Sequence, residues 1–198
     1  MQDYSELKDE ELMEQACENM DCFGVIIERY QGKLLKYILR ISHFSYEEAE
    51  EILQEVFLKL WKNLNGFDSS VKFSSWIYRI THNETISAFR KAKSRGDIDK
   101  IYGGHGGDDE DDFDVFSILS SGMDIEVEVD QVLTGEQIRA ILDQIPEKYR
   151  EVLVLKFLEE RSYEEISDIL KKPSGTVATL INRAKKAFRD AWQRNVKN

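Results

Sequence analysis

Apolar residues recur at three- and four-residue steps through SYEEAEEILQEVFLKLWKNL, where Ala49, Ile52, Leu53, Val56, Phe57, Leu60, Trp61 and Leu64 mark one helix face and the opposite face is acidic. A short break, NGFDSSVKF, leads into SSWIYRITHNETISAFRKAKSR, a second amphipathic helix with Arg79, Arg90, Lys91, Lys93 and Arg95 on its polar side. Upstream, Asp9 is placed to cap a first helix over DEELMEQACEN. Asp21 precedes a long one whose apolar stripe is read through Phe23, Val25, Ile26, Ile27, Tyr30, Leu34, Leu35, Tyr37, Ile38 and Ile41. Ser45 with Glu48 forms a capping box that restarts the chain at the acidic helix. Four helices thus fill residues 1–95 and close one core, the first predicted domain.

The pattern fails from Gly96 to about Met123, where Gly pairs, an acidic run at residues 108–112 and the patch Phe113, Val115, Phe116, Ile118 and Leu119 show no sustained period. A gap of that length inside one domain would be unusual, so residues 96–123 read as a linker. In DIEVEVDQVL the alternation fits a strand and the spacing also fits a helix; with no partner strand in sight, helix is preferred. Residues 124–198 then form a second helical domain. Pro146 opens PEKYREVLVLKFLE, Ser162 with Glu165 forms another capping box, and after Lys171, Lys172 and Pro173 the hydroxyl of Ser174 is placed to cap SGTVATLINRAKKAFRDAW. A short helix, a tight turn and a longer basic helix is the order of a helix-turn-helix.

Composition agrees with an all-α protein of two small helical domains: 198 residues contain only two Pro, too few for the many turns of a sandwich or barrel. No apolar run approaches the roughly 20 residues of a membrane span, and the acidic start MQDYSELKDEELM lacks a signal peptide's basic and apolar regions, so no membrane insertion and a cytoplasmic location are expected. Cys17 and Cys22 read as reduced thiols. His43, His82 and His105 show no metal-site spacing, so no metal or other cofactor is expected.

The net charge of −11 argues against a nucleic-acid partner until its distribution is considered. Residues 72–96 hold six bases against one acid, 97–130 hold one base against 12 acids, and 171–198 hold eight bases against one acid. Two basic islands are therefore separated by an acidic tract, and local charge decides where phosphate binds.

In the C-terminal island, Ile166, Ile169, Leu170, Val177, Leu180, Ile181 and Ala184 supply inner faces and leave Thr176, Thr179, Asn182, Arg183, Lys185 and Lys186 for groove and phosphates. The other island interleaves Phe67, Phe73, Trp76 and Tyr78 with Lys72, Arg79, Arg90 and Lys91, the two ingredients of single-strand binding, a stacking platform and a basic track. Trp76 and Tyr78 also fit a core, whereas loop residues 68–74 are expected to face out. No metal-nuclease cluster, Gly-rich phosphate loop or nucleophile triad is legible, so no catalytic residue is assigned and an enzyme is not expected.

The string AEEILQEVFLKLW…F…FSSWIYRITHN…FRK resembles the second conserved region of the extracytoplasmic-function (ECF) sigma factors of bacterial RNA polymerase, and LDQIPEKYREVLVLKFLEERSYEEISDILKKPSGTVATLINRAKKAFR resembles their fourth. The resemblance implies a transcription-initiation subunit that binds core RNA polymerase and promoter DNA, with an anti-sigma factor as a further partner. It assigns Glu51, Gln54, Glu55, Phe57 and Leu58 to the core-polymerase contact. Capture and opening of the minus-ten element fall to Phe67, Asp68, Lys72, Phe73, Ser74, Trp76, Arg79, Asn83 and Arg90. Reading of the minus-thirty-five element falls to Lys172, Ser174, Thr176, Thr179, Arg183, Lys185 and Lys186. The acidic connector would be threaded through polymerase channels. Two positions depart from the family: Lys171 stands where the helix-turn-helix turn usually has Gly, and Ala178 where a base is common. The competing reading is a helix-turn-helix regulator joined to a helical sensor domain, which leaves the acidic helix and the aromatic-basic island without a role.

Overall fold

A computed structural model describes residues 4, 6–68, 71–96 and 135–196. The predicted linker beyond Gly96 and the segment 124–134 lie outside the described residues. Two compact units are present, built respectively on the N-terminal and the C-terminal helices, and no strand occurs among the described residues.

The first unit contains α1 (Asp9–Ala16), α2 (Met20–Ile41), α3 (Tyr46–Lys62), a 3-10 turn (Leu64–Gly66) and α4 (Phe73–Arg95). Ser45 and Glu48 form the expected reciprocal box at the start of α3: the Glu48 N–H donates to Ser45 Oγ at 3.3 Å and the Ser45 N–H to Glu48 Oε2 at 2.8 Å. Two other starts differ from expectation by a residue or two. Lys8 is the N-cap of α1, its N–H held by Glu11 Oε2, and Asp9 turns instead to Arg29 and the Tyr30 hydroxyl. Asn19, accepting from the Asp21 N–H at 3.0 Å, caps α2.

The core of this unit is closed by Leu12 and Met13 of α1, Ile26, Leu34 and Ile38 of α2, Val56 and Leu60 of α3, and Phe73 and Ile77 of α4. Most of its buried polar groups are paired, Ser75 Oγ being an exception. Tyr37 Oη and His82 Nδ1 lie 3.1 Å apart in the interior, and the buried hydroxyls of Thr81 and Thr85 donate to carbonyls one turn back, each at 2.9 Å. The left-handed conformation of Gly96 (φ 79°) ends α4, its N–H donating to the Lys93 carbonyl.

The C-terminal helices are α5 (Gly135–Asp143), α6 (Glu147–Leu153), which runs on as a π-helical turn (Val154–Leu158), α7 (Tyr163–Leu170) and α8 (Ser174–Val196). Arg150 is buried at the junction of α5 and α6, where its Nε donates to the Leu142 carbonyl at 3.0 Å and Nη2 to the Asp143 carbonyl at 3.4 Å. A cation thus covers the last carbonyls of α5, the negative end of that helix. Ser162 and Glu165 form the second expected box. Pro173, whose carbonyl accepts from Thr176 and Val177, precedes α8, so Ser174 is its first helical residue and not its cap.

Two of these helix ends use charged residues in the left-handed region. After the π-helical turn, Glu160 has φ 52°, and the Arg161 N–H reaches back to the Leu155 carbonyl at 2.9 Å. After α7, Lys171 has φ 51° and the Lys172 N–H reaches the Ser167 carbonyl at 3.2 Å, the six-to-one bond of a Schellman end. Ser167 holds this turn from both sides, because its hydroxyl also donates to the Lys172 carbonyl at 2.6 Å.

Two stability outcomes follow from these contacts. The left-handed region costs an L-residue about 1–2 kcal/mol, and the added freedom of an unfolded Gly offsets about 0.4–1 kcal/mol of any relief. Lys171→Gly should therefore raise the stability of the C-terminal unit by about 0.5–1 kcal/mol, read from hydrogen exchange of α7 and α8 in the full chain. Phe73→Ala, which empties a fully buried site, should cost about 3–5 kcal/mol in urea unfolding followed by Trp76 fluorescence. Phe67→Ala, at a half-buried position, should cost less than half as much.

Candidate nucleic-acid interface and protein-docking face

α3 carries more apolar surface than its own unit buries. Ala49, Ile52, Val56 and Leu60 are buried, whereas Leu53 and Phe57 are half-buried, Leu58 is 49 % exposed and Trp61 39 % exposed. The sequence placed Trp61 on the core face; its ring instead lies edge-on to Phe23 at 5.0 Å with its outer side in solvent. Leu53, Phe57 and Trp61 follow one another at four-residue steps, one position beyond the buried row Ile52, Val56 and Leu60, so they form a second strip along the helix. Glu51, Gln54 and Glu55 are exposed beside it. All five predicted docking residues thus lie on accessible or half-accessible surface. Met20, 72 % exposed at the start of α2, is an exposed apolar residue the periodicity missed.

The aromatic-basic island divides in two. Phe73 was expected to face out with its loop, yet it is fully buried, its ring 5.4 Å from Tyr30, 5.7 Å from Phe67 and 6.1 Å from Trp76. Trp76 is buried one turn on, 5.2 Å from the Phe67 ring. These rings pack edge-on and tilted against each other, and the apolar area they remove from water holds them inward. Phe73 and Trp76 therefore build the platform on which the loop rests and present no ring face to a base. Tyr78 is also core, its ring 5.1 Å from Tyr37.

What remains accessible is the polar part of the expected set. Asp68, Lys72, Asn83 and Arg90 are exposed, and Phe67, Ser74 and Arg79 are half-buried. Arg79, Asn83 and Arg90 succeed one another at steps of four and seven along α4, so they share a stripe that starts beside the loop. Phe67, on the outer side of the aromatic cluster, is the one aromatic of the loop with part of its ring in reach of solvent.

In the second unit Ser174, Thr176, Thr179, Arg183 and Lys186 are exposed on α8, and Lys172 is half-buried in the turn before it. Thr176, Thr179, Arg183 and Lys186 lie within one narrow sector of the helix, at steps of three, four and three. Lys185 is not on that stripe. Nine residues after Thr176, it points to the opposite side, where its Nζ sits 5.2 Å from the centre of the Phe157 ring. Burial, then the neighbouring Lys156 and Arg189, pull its pKa below the ordinary lysine value. The sequence saw a run of bases and could not separate its two faces. Ala178 is half-buried.

No group of three or more metal-ligating side chains occurs among the described residues. Cys17 is exposed and Cys22 buried, both as free thiols, and burial followed by Asp21 raises the Cys22 pKa. No helix among the described residues is long and apolar enough to cross a membrane.

Both units match known families. Residues 26–95 match Sigma-70 region 2 and residues 135–188 match Sigma-70, region 4. The chain is 36% identical over 172 residues to the ECF RNA polymerase sigma factor SigW of Bacillus subtilis, covering 86% of this chain and 89% of that one. It is 28% identical over 192 residues to the ECF RNA polymerase sigma-E factor of Escherichia coli, covering 92% and 93%. Among solved structures the fold is similar to CnrH in complex with the cytosolic domain of CnrY (TM-score 0.65, 19% identity, 94% of this chain and 97% of that one). It is also similar to the sigma factor RpoE in complex with the anti-sigma factor NepR from Bartonella quintana (TM-score 0.62, 19% identity, 86% and 96%). With an acidic, doubly amphipathic helix in one unit, a basic helix-turn-helix in the other, and both sigma regions matched in order, the chain belongs to the ECF RNA polymerase sigma factors.

Proposed function

We propose that this sigma factor divides its work between the two units, with residues 1–95 binding core RNA polymerase and opening the minus-ten region, residues 96–123 linking, and residues 124–198 reading the minus-thirty-five element. The observation that carries this reading is the uncovered strip of α3. Leu53, Phe57, Leu58 and Trp61 stay partly in solvent beside Glu51, Gln54 and Glu55, the chemistry of a helix that docks on a basic, partly apolar partner helix. A regulator with no polymerase contact would have no use for that face.

The accessible side chains support a division of the DNA roles. Thr176, Thr179, Arg183 and Lys186 share the stripe of α8 that enters the major groove, with Lys172 and Ser174 at its approach. Phe67, Asp68, Lys72, Ser74, Arg79, Asn83 and Arg90 surround the loop and lead along α4, where an unpaired strand is held by one partly exposed ring and a basic track. The factor works in the cytoplasm with the polymerase that does the chemistry, contributing no catalytic group or cofactor of its own. An anti-sigma factor is a further partner, a reading supported by the structural relative RpoE, which is in complex with the anti-sigma factor NepR.

Run-off transcription with purified core polymerase tests the function: a promoter-dependent transcript should appear only when this chain is added, and a stand-alone regulator would yield none. Gln54→Ala with Leu58→Ala, both at exposed positions, should weaken co-purification with core by about tenfold or more without changing helical content, since each lies in the centre of the proposed contact.

On promoter duplex the holoenzyme carrying Arg183→Ala should lose affinity and about one unit of salt slope, the signature of one lost phosphate contact. Lys185→Ala, on the far side of α8, should leave that slope as it is. Equal effects of the two substitutions would refute the assigned stripe.

A further inference from the structure

α1 lies before residue 26, outside the span that matches Sigma-70 region 2, yet it touches both ends of the loop between α3 and α4. At the start of the loop, Cys17, the C-cap residue of α1, donates its thiol hydrogen to Asn65 Oδ1 of the 3-10 turn at 3.3 Å. At its end, the Phe73 N–H donates to Glu10 Oε1 at 3.1 Å. That N–H belongs to the first turn of α4, whose N-cap residue is Lys72, with no side-chain acceptor to offer. Glu10 therefore supplies from another helix the cap that α4 lacks, and its negative charge sits at the positive end of the α4 dipole.

α1 is itself fixed to α2. Asp9 Oδ1 accepts from Arg29 Nη1 at 2.6 Å and its other oxygen accepts from the Tyr30 hydroxyl, while the Tyr30 ring packs edge-on against Phe73. Glu10 and Cys17 are seven residues apart, about 10 Å along a helix, so one rigid element spans the loop ends. Between those two holds lie Phe67, Asp68 and Lys72, the loop side chains left in reach of a DNA strand.

We infer that α1 is the positioning strut of the strand-opening loop, with Glu10 and Cys17 as positioning residues that set its geometry without touching DNA. The inference rests on the minus-ten role proposed for that loop. Shifting the Phe73 end by even about 1 Å would move Phe67 and Lys72 relative to α4, and small displacements of positioned groups are costly to a step that needs alignment.

The test uses holoenzymes of the full chain on a promoter carrying 2-aminopurine in the minus-ten non-template strand, with core affinity measured alongside. Glu10→Ala should slow strand opening about tenfold at equal holoenzyme occupancy, with core affinity unchanged within about twofold. Glu10→Gln, whose amide oxygen accepts the same N–H, should recover opening to within about threefold of the unaltered protein. Cys17→Ala, a small change at an exposed residue, should slow opening about twofold to threefold, and it carries the test if Glu10→Ala does not fold. Opening at the unaltered rate by every variant that folds, or a Glu10→Gln protein as slow as Glu10→Ala, would overturn the strut. An unaltered holoenzyme that opens no promoter would instead refute the function proposed for the loop.

Discussion

Burial of Phe73 is the constraint on which the first unit depends. It is the first residue of α4, it has no exposed surface, and its ring meets Tyr30 of α2, Phe67 of the loop and Trp76 one turn further on. A single aromatic position thereby joins three elements, and the backbone N–H of the same residue is held by Glu10 of α1. The loop before it can be short of regular structure and still be placed, because both its end residue and its most apolar member are fixed by packing. In the proposed function the loop receives a strand and needs rigid supports, and the rings that looked like a binding platform are placed to be those supports.

α3 packs into a core and, in the proposed function, also meets a partner. A stripe of four buried positions suffices to pack it on α2 and α4, and the wider apolar face that the sequence displays includes side chains the unit does not cover. Single exposed apolar residues are ordinary, but Leu53, Phe57, Leu58 and Trp61 adjoin on one helix and are flanked by acids. Such a surface is accessible in the unbound chain and gains most from a partner that brings both apolar cover and positive charge.

The second unit is held by its helix ends. Arg150 satisfies the last carbonyls of α5 from within the core, and two charged residues in the left-handed region, Glu160 and Lys171, terminate the helical segments on either side of the helix-turn-helix entry. Neither end uses Gly. Ser167 compensates at Lys171 by bonding Lys172 through both its carbonyl and its hydroxyl, so the turn that sets the angle between α7 and α8 keeps its shape despite the unfavourable backbone. A turn stabilised by a side chain, and not by the backbone freedom of Gly, is well suited to hold Thr176, Thr179 and Arg183 in fixed register on α8.

Periodicity along the chain was enough to reveal the helices, the capping boxes at Ser45 and Ser162, the division into two units and the two basic islands, because each is a local property written in spacing and charge. The acidic face opposite the apolar stripe also left Glu51 and Glu55 on the open side of α3, whereas Gln54 and Leu58 were singled out by the family resemblance and not by the pattern. Local pattern could not say that Phe73 and Trp76 are interior while Phe67 is partly open, that Trp61 leaves the core, or that Lys185 turns toward Phe157 while Arg183 and Lys186 face out. Nor could it link Glu10 to an N–H 63 residues away. Those outcomes depend on which neighbouring helix covers a given sector. An apolar ring at a helix start has the same sequence signature whether another helix covers it or DNA does, and only the tertiary packing chose.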